Sequence, residues 1–204
     1  MLEKIKEEKS KIISAIILIS AGVILRLLLQ NVMMDIFFVI AVISILSGLL
    51  LGSYYTFVVP ISIMIITDLM LGNNMIFLFT WTGFILLALV GYFVRPKTGL
   101  SLKKAPLILG SGIVGILLYD LWTNFGCWLG WYPKTIGGLA TCYTVAIPFT
   151  IWHLVSTTIA LTAVVIPLAL LNKDCDLNLK SMDINVTAGL TISFIFAAIL
   201  SVLV

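Results

Sequence analysis

Long apolar runs, separated by short polar or glycine-containing breaks, dominate the chain. A helix needs about 20 mainly apolar residues to cross a hydrocarbon core of about 30 Å, because its backbone groups must be satisfied within the helix. The pattern predicts seven spans, at 11–30, 36–52, 54–71, 75–94, 105–125, 143–171 and 184–204. The second and third are short and only Gly52-Ser53 separates them, so we expect six or seven crossings.

Composition supports this pattern. The chain has 204 residues, of which 61% are hydrophobic and 10% charged, and its mean hydropathy is +1.21. Soluble domains carry about 25% charged residues. We therefore predict an all-α integral membrane protein in which residues 1–204 form a single polytopic domain. The polar N-terminus leads into the first apolar run without a small-residue cleavage site, which indicates a retained helix rather than a signal peptide.

Positive charges indicate the orientation. They cluster before the first span and between the fourth and fifth, at Lys4, Lys6, Lys9, Lys11, Arg95, Lys97, Lys103 and Lys104. Because cytoplasmic loops carry an excess of Lys and Arg, we predict a multi-pass plasma-membrane protein with a cytoplasmic N-terminus. The net charge of +3 is accounted for by this orientation, so we expect the lipid bilayer as a partner and no nucleic acid.

Four ionisable residues fall within predicted spans: Arg26, Asp68, Asp120 and His153. An Arg or Asp at mid-helix costs about 2.5 to 3.5 kcal/mol when it is left alone in lipid. Arg26 and the two aspartates fall at one depth, near the outer ends of their helices. Pairing Arg26 with one or both aspartates would offset the desolvation and leave a surplus carboxylate for a ligand. The alternative is a structural ion pair that fixes helix register.

His153 belongs to a polar stripe on the sixth predicted span. The stripe comprises Thr150, His153, Ser156, Thr157 and Ala160. Its i, i+3, i+4 spacing puts these groups on one inward face, where a hydrogen-bonded packing role is favoured over a metal ligand. Without an HExxH motif or a Cys and His cluster, we predict no metal and no cofactor. The chain also lacks a GxxxxGK[ST] motif, so ATP-driven work would need a partner protein.

The most distinctive stretch is Leu118-Tyr-Asp-Leu-Trp-Thr-Asn-Phe-Gly-Cys-Trp-Leu, followed by Trp131-Tyr-Pro-Lys-Thr-Ile-Gly-Gly-Leu. It predicts a helix end and then a re-entrant or lid-like aromatic loop over 126–142, between helices 5 and 6. Pro148 would then loosen the start of the next helix. Irregular backbone at membrane depth is tolerated where it is buried or lines a cavity, so we expect a binding site here.

These motifs, with Arg26-Leu-Leu and the run 59–72, resemble an uncharacterised family of small membrane proteins. That family is similar to the substrate-binding S components of energy-coupling factor transporters. The resemblance covers about residues 20–170 and includes Thr-Asn-Phe-Gly-x-Trp and Tyr-Pro-x-Thr-x-x-Gly-Leu. It implies a six-helix bundle, about 11–171, that binds a vitamin-like molecule near the outer face. It also implies a transmembrane coupling protein and two ATPases as partners.

The resemblance carries over to six positions, Arg26, Asp68, Asn124, Trp128, Tyr132 and Pro148. Two features depart from it. S components often carry an Ala-x-x-x-Ala docking face on the first helix, whereas here Ala15 is followed four residues on by Ile19. The predicted span at 184–204 is also additional, and would suit assembly with other proteins.

Three functions therefore remain open. The chain is a small-molecule-binding component of an uptake transporter, a non-catalytic accessory subunit of a larger membrane complex, or an intramembrane enzyme using Asp120 or Asp68 with His153. We favour uptake and predict no catalytic residues. All five tryptophans fall on the outer half in the predicted topology. The predicted ligand-binding residues are Arg26, Asp68, Trp81, Asp120, Asn124, Trp128, Tyr132 and His153.

Overall fold

The computed structural model describes residues 2–30, 36–96 and 100–175, and these form six α-helices and no strand. The helices are α1 Leu2–Leu29, α2 Phe37–Leu46, α3 Tyr55–Leu71, α4 Phe77–Phe93, α5 Ala105–Trp131 and α6 Ile136–Cys175. A π-helical turn, Ser47–Leu51, continues α2, and a 3-10 turn, Leu102–Lys104, precedes α5. The all-α prediction is confirmed for this part of the chain. The predicted seventh span, 184–204, lies outside the described residues.

Helix α2 is the centre of the bundle. Every residue of α2 and of its π-helical turn is buried, because α1, α3, α4 and α6 pack around it. A helix that is apolar on all sides belongs in a protein core. Its hydroxyl groups are satisfied locally: Ser44 donates to the Ile40 carbonyl at 2.7 Å and Ser47 to the Ser44 carbonyl at 2.8 Å.

Two glycines let α4 touch the α2 segment through backbone atoms. A Cβ at Gly48 would collide with the carbonyl oxygen of Ala88, and a Cβ at Gly91 would collide with that of Ile45. Neither obstacle is a flexible side-chain end, so the helices would have to separate to admit even a methyl group. These contacts hold the central helix against α4.

Arg95 caps the end of the α2 segment. Its Nη1 donates to the Leu51 carbonyl at 3.0 Å and its Nη2 to the Leu50 carbonyl at 3.1 Å, satisfying acceptors that a helix end leaves unpaired. Gly52 then turns the chain with φ of 64°, a left-handed conformation that favours glycine. Burial lowers the pKa of Arg95 from its ordinary value. Arg95 thus has a packing role as well as a place among the charges that indicate orientation.

Among the described residues, three helical segments are long and apolar enough to cross a membrane, judged by length and composition: Glu7–Leu29, Leu102–Trp131 and Ile136–Leu170. The other apolar helical segments, Phe37–Leu51, Tyr55–Leu71 and Phe77–Phe93, are shorter. The predicted boundaries of the second, third and fourth spans agree with these segments to within two residues.

The predicted re-entrant or lid-like loop over 126–142 is wrong. Helix α5 continues to Trp131 and α6 begins at Ile136, so residues 132–135 form a short turn. The glycines within this stretch do not break the helices. At Gly126 the reason is close packing, since a Cβ there would lie 2.5 Å from Cγ of Phe79. Pro148 lies inside α6 and not at the start of a helix.

Candidate functional site

A cavity of about 500 Å³, hereafter the end cavity, is lined by residues from all six described helices and the turns next to them. The C-terminal ends of α1 and α3 and the N-terminal ends of α2 and α4 surround it, while α5 and α6 contribute Tyr119 and His153. Its lining residues are Arg26, Ile36, Phe37, Ile40, Met64, Asp68, Leu71, Gly72, Asn73, Asn74, Thr80, Phe84, Tyr119 and His153. The end cavity is therefore polar at α1, α3 and α4 and largely aromatic on the remaining side.

An ion pair between α1 and α3 forms one wall of the end cavity. Nη1 of Arg26 lies 2.7 Å from Oδ1 of Asp68 and also donates to the Thr67 hydroxyl. The indole N–H of Trp81 donates to the other Asp68 oxygen at 2.7 Å. Asp68 is only 8% exposed, so these contacts offset the cost of burying its charge. The expected pairing of Arg26 with an aspartate thus occurs at Asp68.

Asp120 pairs with His153 and not with Arg26. Oδ1 of Asp120 lies 2.7 Å from Nδ1 of His153, because α5 and α6 pack side by side. The Phe37 ring stacks on the imidazole with centroids 4.0 Å apart. Asp120 is 5% exposed, and within the described part of the chain its Oδ2 is buried without a hydrogen-bond partner. His153 is thus oriented from one side by a carboxylate and from another by an aromatic ring.

A second cavity, of about 300 Å³, lies between α5 and α6 and is hereafter the α5/α6 cavity. Asp120, Asn124, Tyr132 and Cys142 line it, and His153 lines both cavities. The Cys142 thiol donates to the Asn124 carbonyl at 3.4 Å. Among the residues described, no group of three or more His, Cys, Asp and Glu side chains is placed to hold a metal ion. The chemistry that the Asp120–His153 pair can supply at this cavity is proton exchange, as in other Asp–His pairs.

The eight predicted ligand-binding residues divide into three groups. Arg26, Asp68 and His153 line the end cavity. Asp120, Asn124 and Tyr132 line the α5/α6 cavity, where the Asn124 amide also donates to the Asp120 carbonyl at 2.8 Å.

The last two, Trp81 and Trp128, line neither cavity. Trp81 positions Asp68. The indole of Trp128 donates to the Pro133 carbonyl at 2.9 Å and lies beneath Lys134, whose Nζ is 5.9 Å from the ring centroid. Both tryptophans therefore support the structure around the cavities.

Sequence reasoning missed the aromatic wall and the asparagine pair of the end cavity. Phe37 lies 4.6 Å from Tyr119 and 5.8 Å from Phe84 between ring centroids, and the Phe84 and Tyr119 rings are 4.8 Å apart. Asn73-Asn74 falls in the break between the predicted spans 54–71 and 75–94. Its position, directly after the helix that carries Asp68, was the sequence signal that could have placed it in the site. No such signal marked the aromatic residues, since apolar side chains surround them in the sequence.

Both cavities and almost all of the six helices fall within residues 6–177, and this range matches the model of a family of unknown function, DUF6580. The chain belongs to the DUF6580 family. The DUF6580 match ends before the predicted span at 184–204. Neither a curated protein nor a solved structure gives a significant match to the chain.

Proposed function

We propose that this DUF6580 protein is a multi-pass plasma-membrane protein that binds a small molecule in the end cavity, as a component of an uptake system. Partner proteins would supply the energy. The observation that carries the proposal is the end cavity itself, about 500 Å³ in volume and walled by a paired guanidinium, an oriented histidine and an aromatic cluster. Small-molecule sites are concave, about 300 to 1,000 Å³, and mostly apolar with a few placed polar groups.

The distribution of polar groups supports a binding role. The bundle core is mainly aliphatic, whereas Arg26, Asp68, Asn73, Asn74 and His153 gather around one end. Ionisable residues among apolar helices are costly and face protein or water. A purely structural ion pair needs no open cavity beside it, so the open volume favours a ligand.

The outer surface supports the membrane part of the proposal. Large apolar side chains are strongly exposed on the helix exteriors, as at Leu69 (82%), Phe93 (78%) and Leu28 (65%). Lipid would cover such a surface without cost. Helices α3 and α4 have 17 residues each and so reach about 26 Å, close to the hydrocarbon thickness. The positive clusters support a cytoplasmic N-terminus.

The uptake assignment rests on the resemblance of the 118–139 motifs and of the Arg26 and Asp68 segments to an uncharacterised membrane-protein family that is itself similar to S components. Such a component needs an energising partner, in keeping with the lack of a Walker motif in this sequence. The expected partners are a transmembrane coupling protein and ATPases. The accessory-subunit alternative predicts different partners and an empty end cavity.

Native mass spectrometry of the protein, purified gently from its own membranes, tests this proposal. We expect a retained small molecule in the wild type. Thr80 lines the end cavity, so Thr80→Trp should fill it and remove the retained mass. Leu78, two residues earlier on α4 and 60% exposed, lies outside the cavity lining, and Leu78→Trp should retain the molecule.

The same spectra identify protein partners. A coupling protein or ATPases in stable proportion would support the uptake assignment. Two results together would contradict the uptake assignment. The first is stoichiometric association with a different complex. The second is either equal retention of the small molecule by both tryptophan variants or no retained molecule in the wild type. The ion pairs would then be assigned to helix packing.

A further inference from the structure

The end cavity has unused hydrogen-bond donors on its polar wall. Arg26 makes all its polar contacts through Nη1, to Asp68, to Thr67 and to the Met64 sulfur at 3.5 Å. Among the described residues, its Nη2 and Nε atoms have no partner. The Arg26 side chain is 18% exposed and lines the cavity. The guanidinium is thus anchored by one nitrogen, with two others left to donate to a ligand.

The asparagine pair adds donors of the same kind. Oδ1 of Asn73 accepts from the Asn74 backbone N–H at 2.9 Å, and Oδ1 of Asn74 accepts from the Ile76 N–H at 3.1 Å. These bonds to backbone donors assign the amide orientation. Neither carboxamide nitrogen has a partner within the described ranges. Both asparagines therefore use their side-chain oxygens within the turn, and their carboxamide N–H groups stay available for a ligand.

Among the described residues, the charged acceptors on this wall are already engaged. The two Asp68 oxygens accept from Arg26 and Trp81. The Thr80 hydroxyl donates to the Phe77 carbonyl at 2.9 Å, so its oxygen is left as a neutral acceptor only. The helix dipoles do not reverse this balance, because two C-terminal ends and two N-terminal ends meet at the cavity and offset one another. The free N–H groups of Arg26, Asn73 and Asn74 thus give this wall a preference for hydrogen-bond acceptors and negative charge.

The opposite wall has a different character. Phe37, Phe84 and Tyr119 present mutually packed rings, and His153 extends the cluster through its stack on Phe37. Offset and edge contacts with such rings favour flat apolar groups. A ligand that spans the cavity would meet ring faces on one side and charged or amide N–H donors on the other.

We infer that the end cavity binds an amphipathic organic anion, with a carboxylate or phosphate group at Arg26, Asn73 and Asn74 and a flat apolar body against Phe37, Phe84 and Tyr119. This inference rests on the proposed small-molecule function and names its ligand class. Charge-assisted hydrogen bonds to a guanidinium are about twice as strong as neutral ones. A protonated amine would instead meet the like charge of the guanidinium.

A matched series of three probes tests the inference: 3-phenylpropionate, 3-phenylpropionamide and 3-phenylpropylamine. They share one body and carry negative, zero and positive charge. Dissociation constants are measured by NMR titration of the full chain in nanodiscs, with empty nanodiscs as the blank. We expect the wild type to bind the propionate about tenfold more tightly than either other probe, a difference typical of one charge-assisted contact.

Isosteric variants locate the effect. Asn73→Asp and Asn74→Asp keep the oxygen that accepts from the backbone and replace the free donor by a negative charge. Each should weaken propionate binding about tenfold and strengthen propylamine binding. Thr135→Asp places the same charge at the start of α6, 18 residues before His153 and outside the lining of the end cavity, and should change either constant less than about twofold. Because Thr135 and both asparagines are exposed, these variants should fold.

The outcomes separate the two proposals. If the propionamide or the propylamine binds the wild type as tightly as the propionate, the anion class is wrong while small-molecule binding stands. Equal effects of Thr135→Asp and the two asparagine variants would also overturn the anion site. If none of the three probes binds at millimolar concentration, the ligand class fails, and the small molecule retained in the native mass spectra decides the proposed function separately.

Discussion

Oδ1 of Asp120 lies 2.7 Å from Nδ1 of His153, although 33 residues separate them in the chain. The short turn between α5 and α6 makes this pairing possible, because it folds two long helices against each other. His153 then lines both the end cavity and the α5/α6 cavity. The pair therefore orients a ring of the end cavity from a carboxylate that does not itself line that cavity.

Removing the carboxylate of Asp120 should destabilise the protein. Asp120→Ala removes the carboxylate that orients His153, and a lost buried hydrogen bond costs about 1 to 3 kcal/mol. Asp120→Asn keeps an oxygen that can accept from the imidazole and should cost less than half as much. Thermal unfolding in detergent measures both, with Thr144→Ala, at an exposed position of α6, as the control. Equal losses for Asp120→Ala and Asp120→Asn would contradict the assigned contact.

The Arg26–Asp68 pair should show strong coupling between its two residues. Asp68→Leu or Arg26→Met alone leaves a partly buried charge unpaired, which costs about 3 to 5 kcal/mol. The double variant removes both charges and should lose less stability than the sum of the single variants. Denaturation of all four proteins in the same detergent gives the coupling energy. Additive losses would show that the 2.7 Å contact contributes nothing.

Trp81→Phe tests the support of Asp68 from α4. The substitution keeps the aromatic packing and removes the donor 2.7 Å from Oδ2 of Asp68. A hydrogen bond to a charged group contributes about 1.5 to 3 kcal/mol, so the free energy of unfolding should fall by that amount. In an Asp68→Asn background the loss should be smaller. An undiminished loss in that background would assign the effect to packing.

The effect of replacing glycine by alanine on stability should depend strongly on the position of the glycine. Gly48→Ala and Gly91→Ala force a methyl group onto the backbone carbonyls of Ala88 and Ile45. Overpacking of a core typically costs about 1 to 3 kcal/mol, occasionally more. Gly110→Ala on α5 meets nothing within 4 Å and should be neutral or stabilising, since alanine favours helix by about 1 kcal/mol. Yield of folded protein and unfolding temperature measure the contrast. Normal stability of Gly91→Ala would mean that α2 and α4 are not in backbone contact.

The proposed orientation can be tested by labelling single cysteines in intact cells with a membrane-impermeant maleimide. In a background with Cys127, Cys142 and Cys175 replaced by alanine, Asn73→Cys and Thr135→Cys should react, because their turns would face outside. Ser53→Cys and Ser101→Cys should react only after the cells are permeabilised. The opposite labelling pattern would show that the N-terminus lies outside the cell. Reaction of both sets in intact cells would contradict the multi-pass topology.

Much of the local structure followed from the order of residues alone. Apolar runs interrupted at Gly52, at Asn73-Asn74 and over the segment 95–99 predict α2, α3 and α4 closely, because turn-forming and charged residues cluster at these positions. The cost of isolated charges among apolar helices also singled out Arg26, Asp68, Asp120 and His153 before any contact was known. These inferences need only neighbouring residues and the solvent.

The partners of those charges required the tertiary structure. Three of the four residues stood at one depth, so depth could not decide whether Arg26 would meet Asp68, Asp120 or both. Helix packing decided it, since α1 lies against α3 and α5 lies against α6. The course of 126–142 was likewise decided by packing: glycine-rich local sequence favoured an irregular loop, whereas close contacts such as Gly126 against Phe79 favour continuous helix.

The sequence by itself therefore determined that the chain folds into apolar helices carrying a small set of charges, because hydrophobic periodicity and desolvation act through local composition. Only the tertiary structure decided which charges pair, that α2 is enclosed on every side, and that an aromatic wall faces Arg26 and the asparagine pair. Those features depend on which helices become neighbours. That choice rests on the summed fit of many side chains, and no single segment of the chain contains it.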